Sequence, residues 1–128
     1  MRLLLDTHIL LWVIAESRKL SRTAREFIGE PTHELAFSAA SLWEIAIKAS
    51  LRRDDFRVDV ASVRKRLFDN GYSEIAATGA HAVALANLPL IHKDPFDRLL
   101  VAQAMAEGLT LVTGDPVVAR YPGPIRLV

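Results

Sequence analysis

The sequence predicts an α/β fold built on a parallel sheet with right-handed crossovers, and three observations predict it. Short apolar runs alternate along the chain with stretches of helical periodicity, the order that strand–helix–strand units produce. Hydrophobic residues make up 51% of the 128, and a chain of this length buries about two-thirds of the surface its unfolded form exposes. Cysteine is absent, so the core must hold without disulfides or thiolate zinc sites. One domain over residues 1–128 is expected, with the reducing cytoplasm as its default compartment.

The elements follow in order. Leu3 to Leu5 is a short apolar strand ending in Asp6-Thr7, and His8 to Glu16 continues as a helix without a breaker. The basic-then-apolar start has the look of a leader peptide, but Asp6 and His8 interrupt it. No apolar stretch approaches the roughly 18 residues of a membrane span, so a soluble chain is expected. Ser21 caps a second helix that Gly29 and Pro31 close, and Glu34 to Ser38 is the second strand. Ala39 to Leu51 is helical, with Leu42, Ile45, Ala46 and Ala49 on one face and Glu44 beside it. Asp59 opens a helix to about Asn70, Gly71 ends it, and Ser73 to Ala77 forms a third short strand. Thr78 caps a helix to Asn87. Asp94 caps the next, with Pro95 at its first position, and Gly108 stops it after Glu107. Leu109 to Thr113 is a strand, Asp115-Pro116 starts a short helical turn that Gly114 permits, and Ile125 to Val128 adds an edge strand.

A net charge of +1 argues against a chain that wraps nucleic acid through bulk charge. Between Lys48 and Arg66, however, seven basic residues stand against three acids. That segment reads equally as a solvated helix surface or as a phosphate-binding edge, with Arg52 and Arg53 as the candidate contacts to a nucleic-acid backbone.

In an open parallel sheet the ligand site lies beyond the carboxyl ends of the strands. Asp6 and Asp115 each follow an apolar strand, and Asp97 sits at a helix start. Glu44 stands inside an apolar helix between Trp43 and Ile45. Four such carboxylates, with no matching histidine or cysteine spacing, favour magnesium or manganese over zinc. Each acid alone reads as a helix cap or, for Glu44, as a partner of Lys48 one turn later. Caps do not explain an acid next to a buried face, where an unpaired carboxylate is costly. His92 could move a proton or touch phosphate, although a loop histidine more often does neither. Trp12, Trp43 and Phe96 could stack bases, but two of them lie inside apolar helical patterns and are assigned to the core.

Four motifs carry a family resemblance. They are Leu4-Leu5-Asp6-Thr7-His8, Ser41-Leu42-Trp43-Glu44-Ile45-Ala46-Ile47-Lys48, His92-Lys93-Asp94-Pro95-Phe96-Asp97-Arg98-Leu99-Leu100 and Leu111-Val112-Thr113-Gly114-Asp115. In this order and spacing the chain resembles the PIN-domain family, in the branch close to VapC toxins. The resemblance implies a central parallel sheet flanked by helices in three α/β/α layers. It also implies a ribonuclease site in which Asp6, Glu44, Asp97 and Asp115 hold one or two magnesium or manganese ions. Asp94 is then an additional acid ranked below Asp97, and Thr7 orients water or phosphate or is simply a strand-end residue. RNA is the implied substrate, a VapB-like antitoxin the implied partner, and a homodimer the implied assembly.

Three other readings fit less well. A receiver-type phosphoacceptor needs an acid pair after its first strand and a lysine after its last central strand, whereas Asp6 is followed by Thr7-His8 and Asp115 by Pro116-Val117. A haloacid-dehalogenase-type phosphatase needs a second aspartate where His8 stands. A catalytically inactive module of the same fold is opposed by the intact acid set.

Overall fold

The computed structural model describes residues 1–51 and 58–128, and the predicted elements appear in the predicted order. They are β1 (Arg2–Leu5), α1 (Thr7–Ile14), α2 (Arg22–Ile28), β2 (Glu34–Ser38), α3 (Ala39–Ser50), α4 (Val60–Asp69), β3 (Ser73–Ile75), α5 (Gly79–Leu85), α6 (Pro95–Glu107), β4 (Thr110–Thr113) and β5 (Ile125–Leu127). All four strand pairings are parallel, in the order β3-β2-β1-β4-β5. The sheet therefore grows outward from β1 in one direction and restarts at β4 on its other side. Its switch point falls between β1 and β4, where a crevice opens beyond the strand ends.

Strand alternation sends neighbouring side chains to opposite faces of the sheet. Leu3, Leu5, Phe37 and Val112 meet Ile9, Leu10, Ala24, Ile28, Val63 and Leu67 from α1, α2 and α4. On the other face Leu4, Ala36 and Leu111 meet Leu100, Val101 and Ala104 from α6. The result is the expected α/β/α layering. Fully burying each such aliphatic side chain contributes about 1.5–3 kcal/mol, so both cores anchor the strand ends that carry the acids.

Where the ends of elements differ from the sequence reading, local chemistry explains it. Helix α1 stops at Ile14 rather than Glu16, because Glu16 adopts φ +51° and the Ser17 amide turns back to the Trp12 carbonyl at 2.9 Å. Asp115-Pro116 does start the expected short helical turn: the Asp115 carboxylate accepts from the Val117 amide at 2.8 Å, its carbonyl accepts from the Ala119 amide at 3.2 Å, and the turn closes as a 3-10 helix at Val118–Arg120. Gly114 does not have a left-handed φ, and a Cβ there would make only ordinary contact with Trp12 and Ile9, so the turn does not depend on glycine. Asp59 occupies the cap position of α4, yet its carboxylate accepts from the Ser62 hydroxyl instead of a backbone amide. Among the described residues no helix is long and apolar enough to cross a membrane.

Candidate active site

Asp6 leaves β1 at the switch point and caps α1. Its Oδ1 accepts from the Ile9 amide at 2.9 Å, and its Oδ2 accepts from the Thr113 hydroxyl at the end of β4, at 2.5 Å. The carboxylate is almost fully buried, and burial raises its pKa above the ordinary value against the pull of those two bonds. The same Thr113 oxygen accepts from the Asp115 amide at 3.0 Å. One hydroxyl thus fixes two acids 109 positions apart at the ends of adjacent strands.

Glu44 is buried on α3. Its Oε2 meets Lys48 Nζ at 3.0 Å, one turn away, while Oε1 is buried without a hydrogen-bond partner. A lone buried carboxylate oxygen carries the full desolvation penalty of an unsatisfied group. The pairing expected of Lys48 is therefore present, and it leaves half of Glu44 unanswered.

Asp97 stands in the first turn of α6, and burial combined with the neighbouring charges of Asp94, Asp6 and Glu44 pushes its pKa up to about 7. The His92 imidazole, 3.5 Å from Asp97 and 3.0 Å from Asp115, opposes that rise. His92 Nδ1 accepts from the Asp94 amide at 3.0 Å, so the proton of the neutral ring sits on Nε2 and donates to Asp115. Burial works against the Asp115 charge, but the Val117 amide and His92 hold its pKa below the ordinary value. Donor atoms of His92, Asp97 and Asp115 all lie within 4.8 Å of one another.

Asp97 and Asp115 thus group with His92, while Asp6 and Glu44 stand outside that group, Asp6 tied to it through Thr113 and both acting on the charge of Asp97. Asp94 is the N-cap of α6, its Oδ1 accepting from the amides of Phe96 and Asp97 at 2.8 and 3.3 Å. Thr7 is buried, and its hydroxyl donates to Ser41 at 2.9 Å, locking α1 to α3. Arg52 and Arg53 lie outside the described residues. Of the other basic residues in that segment, Arg64 pairs with Glu74 at 2.7 Å, Lys65 with Asp69 at 2.8 Å, and Arg66 donates to the Ile14 carbonyl at 3.2 Å. That part of the segment behaves as a helix surface.

Thr113, Ser41 and His92 are the contributors that sequence reasoning misses or ranks too low. The signal for Thr113 is a hydroxyl at a strand end two residues before an acid. Trp43 corrects an expectation outright: assigned to the core, it is 62% exposed, because the buried face of α3 is taken by Ser41, Glu44 and Ile45. A cavity of about 710 Å³ lies elsewhere, lined by Trp12, Leu20, Ile28, Leu67 and Tyr72 among others, and includes none of the four acids.

The donor set suits a hard divalent cation: carboxylate oxygens, one of them unpartnered, in a site whose protonation equilibria are distorted first by burial and then by mutual repulsion. Fold and site define a class, that of three-layer α/β proteins gathering carboxylates over the switch point of a parallel sheet. The chain belongs to the PIN domain family, whose model matches residues 3–124. It is 34% identical to Ribonuclease VapC22 of Mycobacterium tuberculosis over 97% of this chain and 96% of that protein. Among solved structures it resembles VapBC2 from Rickettsia felis bound to a promoter DNA fragment, with a TM-score of 0.72 and 19% identity over 99% of this chain and 98% of that one. The DNA-bound VapBC of Salmonella typhimurium gives a TM-score of 0.66 at 17% identity, covering 100% of this chain and 97% of that one. These likenesses bear out the expected family and fold.

Proposed function

We propose that this chain is a magnesium- or manganese-dependent endoribonuclease and the toxin of a VapBC-type pair, acting on RNA in the cytoplasm as a homodimer restrained by a VapB-like antitoxin. The observation that supports the reading best is the grouping of Asp97 and Asp115 with His92 beyond the strand ends, with Asp6 and Glu44 near enough to act on the charge of Asp97 and one buried oxygen of Glu44 left without a partner. The ribonuclease name of the 34% identical relative and the antitoxin complexes among the structural neighbours support it.

The four acids are the residues that would hold the cation. When bound, such an ion neutralises a non-bridging phosphate oxygen and acidifies the attacking water. The chain's own side chains prepare the site. Thr113 and the Ile9 amide fix both oxygens of Asp6. Lys48 answers one oxygen of Glu44 and leaves the other free to bind. The His92 Nε2–H orients Asp115. Asp97, with its pKa raised to about 7, is divided between its protonated and ionised forms near neutral pH, and it is the ionised form that would hold a cation. In-line attack of water on phosphorus breaks the P–O3′ bond and leaves a 5′-phosphate and a 3′-hydroxyl. Asp94 supports this from outside as the cap of α6, and Arg52 and Arg53 are proposed as contacts to the RNA backbone.

Purified protein should cleave single-stranded RNA with magnesium or manganese, stop on chelation and resume when metal is restored. Asp6→Asn and Asp97→Asn should abolish cleavage, and Asp94→Asn should reduce it less, since asparagine caps as well as aspartate. Cleavage that persists in excess EDTA overturns the reading. Equal losses at Asp94 and Asp97 overturn the ranking of those two.

A further inference from the structure

Helices α3 and α6 each place an aromatic residue directly before a site acid: Trp43 before Glu44, and Phe96 before Asp97. The acids turn inward and are buried or nearly so, while the aromatics meet outside them. Trp43 is 62% exposed, and its ring lies 5.2 Å from that of half-buried Phe96 at 73°, edge against face. The edge contact restrains the indole, and an exposed indole has π surface left for a third ring, since offset and edge geometries are both favourable. Neither core needs Trp43, which belongs to neither buried cluster.

We propose that Trp43 and Phe96 form a stacking platform for a nucleobase of the bound RNA, next to the phosphate that the acids address. The inference rests on the ribonuclease reading and adds to it a base-positioning pair. Every base presents a π face, so the platform tolerates sequence while fixing the register of the strand against the carboxylates. Lys93, in the loop that leads to Phe96, adds positive charge suited to a phosphate. Trp43 is also the first of an exposed apolar row that runs along α3 to the residue capping its end, with Ile47 and Leu51 at 37% and 61% exposure. A second protein copy would favour that whole row. Among the described residues only Trp43 of that row has an aromatic partner, and that favours the base.

The test uses the full chain carrying Asp97→Asn, which separates binding from cleavage, and Trp12→Phe, which leaves Trp43 as the only tryptophan. This protein is titrated with a single-stranded RNA and with the same strand made abasic, following indole fluorescence. RNA should quench Trp43 and the abasic strand should not. Replacing Trp43 by Leu should weaken RNA binding roughly tenfold to a hundredfold, whereas Phe should restore most of it. Melting temperatures should not move, because the side chain is exposed. Equal quenching by the abasic strand, or equal affinity of the Leu and Phe variants, overturns the platform. So does a loss of self-association by light scattering in the Leu variant with RNA affinity unchanged, which assigns the surface to a second copy. If the unmutated chain fails to cleave RNA while quenching persists, the ribonuclease reading fails and the stacking surface stands. Cleavage by the unmutated chain that is equally fast in the Leu variant overturns the platform and leaves the ribonuclease reading in place.

Discussion

Burial acts unequally on the acids, and the difference has a measurable consequence for stability. Asp97 titrates near 7 in the folded protein, held there by burial and by the charges of Asp94, Asp6 and Glu44. In the unfolded chain it titrates near 4. Between those values the folded state binds the extra proton, so the stability this contributes is fully present below about pH 4 and is lost as pH rises through about 7. Asp6, also raised, acts in the same direction. At about 1.4 kcal/mol per unit, the Asp97 contribution is on the order of a few kcal/mol. Urea denaturation in EDTA should show the chain losing stability between pH 5 and pH 7.5 and Asp97→Asn losing much less; a flat profile for both would contradict the cluster. Much of this is legible in residues alone. A carboxylate after an apolar strand or inside an apolar helix has few cheap explanations, so Asp6, Glu44, Asp97 and Asp115 stand out. Thr113 and Ser41 do not, because their roles depend on partners 107 and 34 positions away. Trp43 misleads for a related reason: apolar periodicity marks a face without saying whether anything covers it.

Among the elements, capping decides what the sequence can reveal. Ser21, Thr78 and Asp94 each accept from the backbone amides of the helices they begin, as expected. The Thr78 cap is closed by buried His81, which accepts from the Thr78 amide and reaches Glu107 at 2.7 Å, tying α5 to the end of α6. An end set by a left-handed residue other than glycine is not legible, as at Glu16. The glycines give a sharp contrast. Gly108 ends α6 at φ +68°, and an alanine there would cost about 1–2 kcal/mol. Gly114 has ordinary φ, and a Cβ added there would meet nothing closer than 3.6 Å, so Gly114→Ala should be nearly neutral. Thermal melts of the two alanine variants check this, and a large loss at Gly114 would show that the β4 turn does need glycine.

For the molecule as a whole, alternating apolar runs and helices make the parallel α/β class legible, and the motif order makes the family legible. The strand order is not, because it depends on which face of the sheet each crossover takes. That order matters most for function. It places β1 beside β4 and so brings the first and last of the four acids, far apart in the chain, to one crevice with α3 and α6 above it. A cation held there would bind only the folded state and would stabilise every element that contributes a ligand. At a hundredfold excess over its dissociation constant it should add about 2.7 kcal/mol, several degrees of melting temperature in a domain of this size.

Thermal melts of the unmutated chain and of Asp6→Asn, each in EDTA and in manganese, separate a cation site from a set of helix caps. In EDTA the variant should be as stable as the original or more so, since removing one of several mutually repelling charges relieves strain. In manganese the original should gain several degrees and the variant much less. Equal manganese shifts in the two proteins would contradict a cation site built on Asp6.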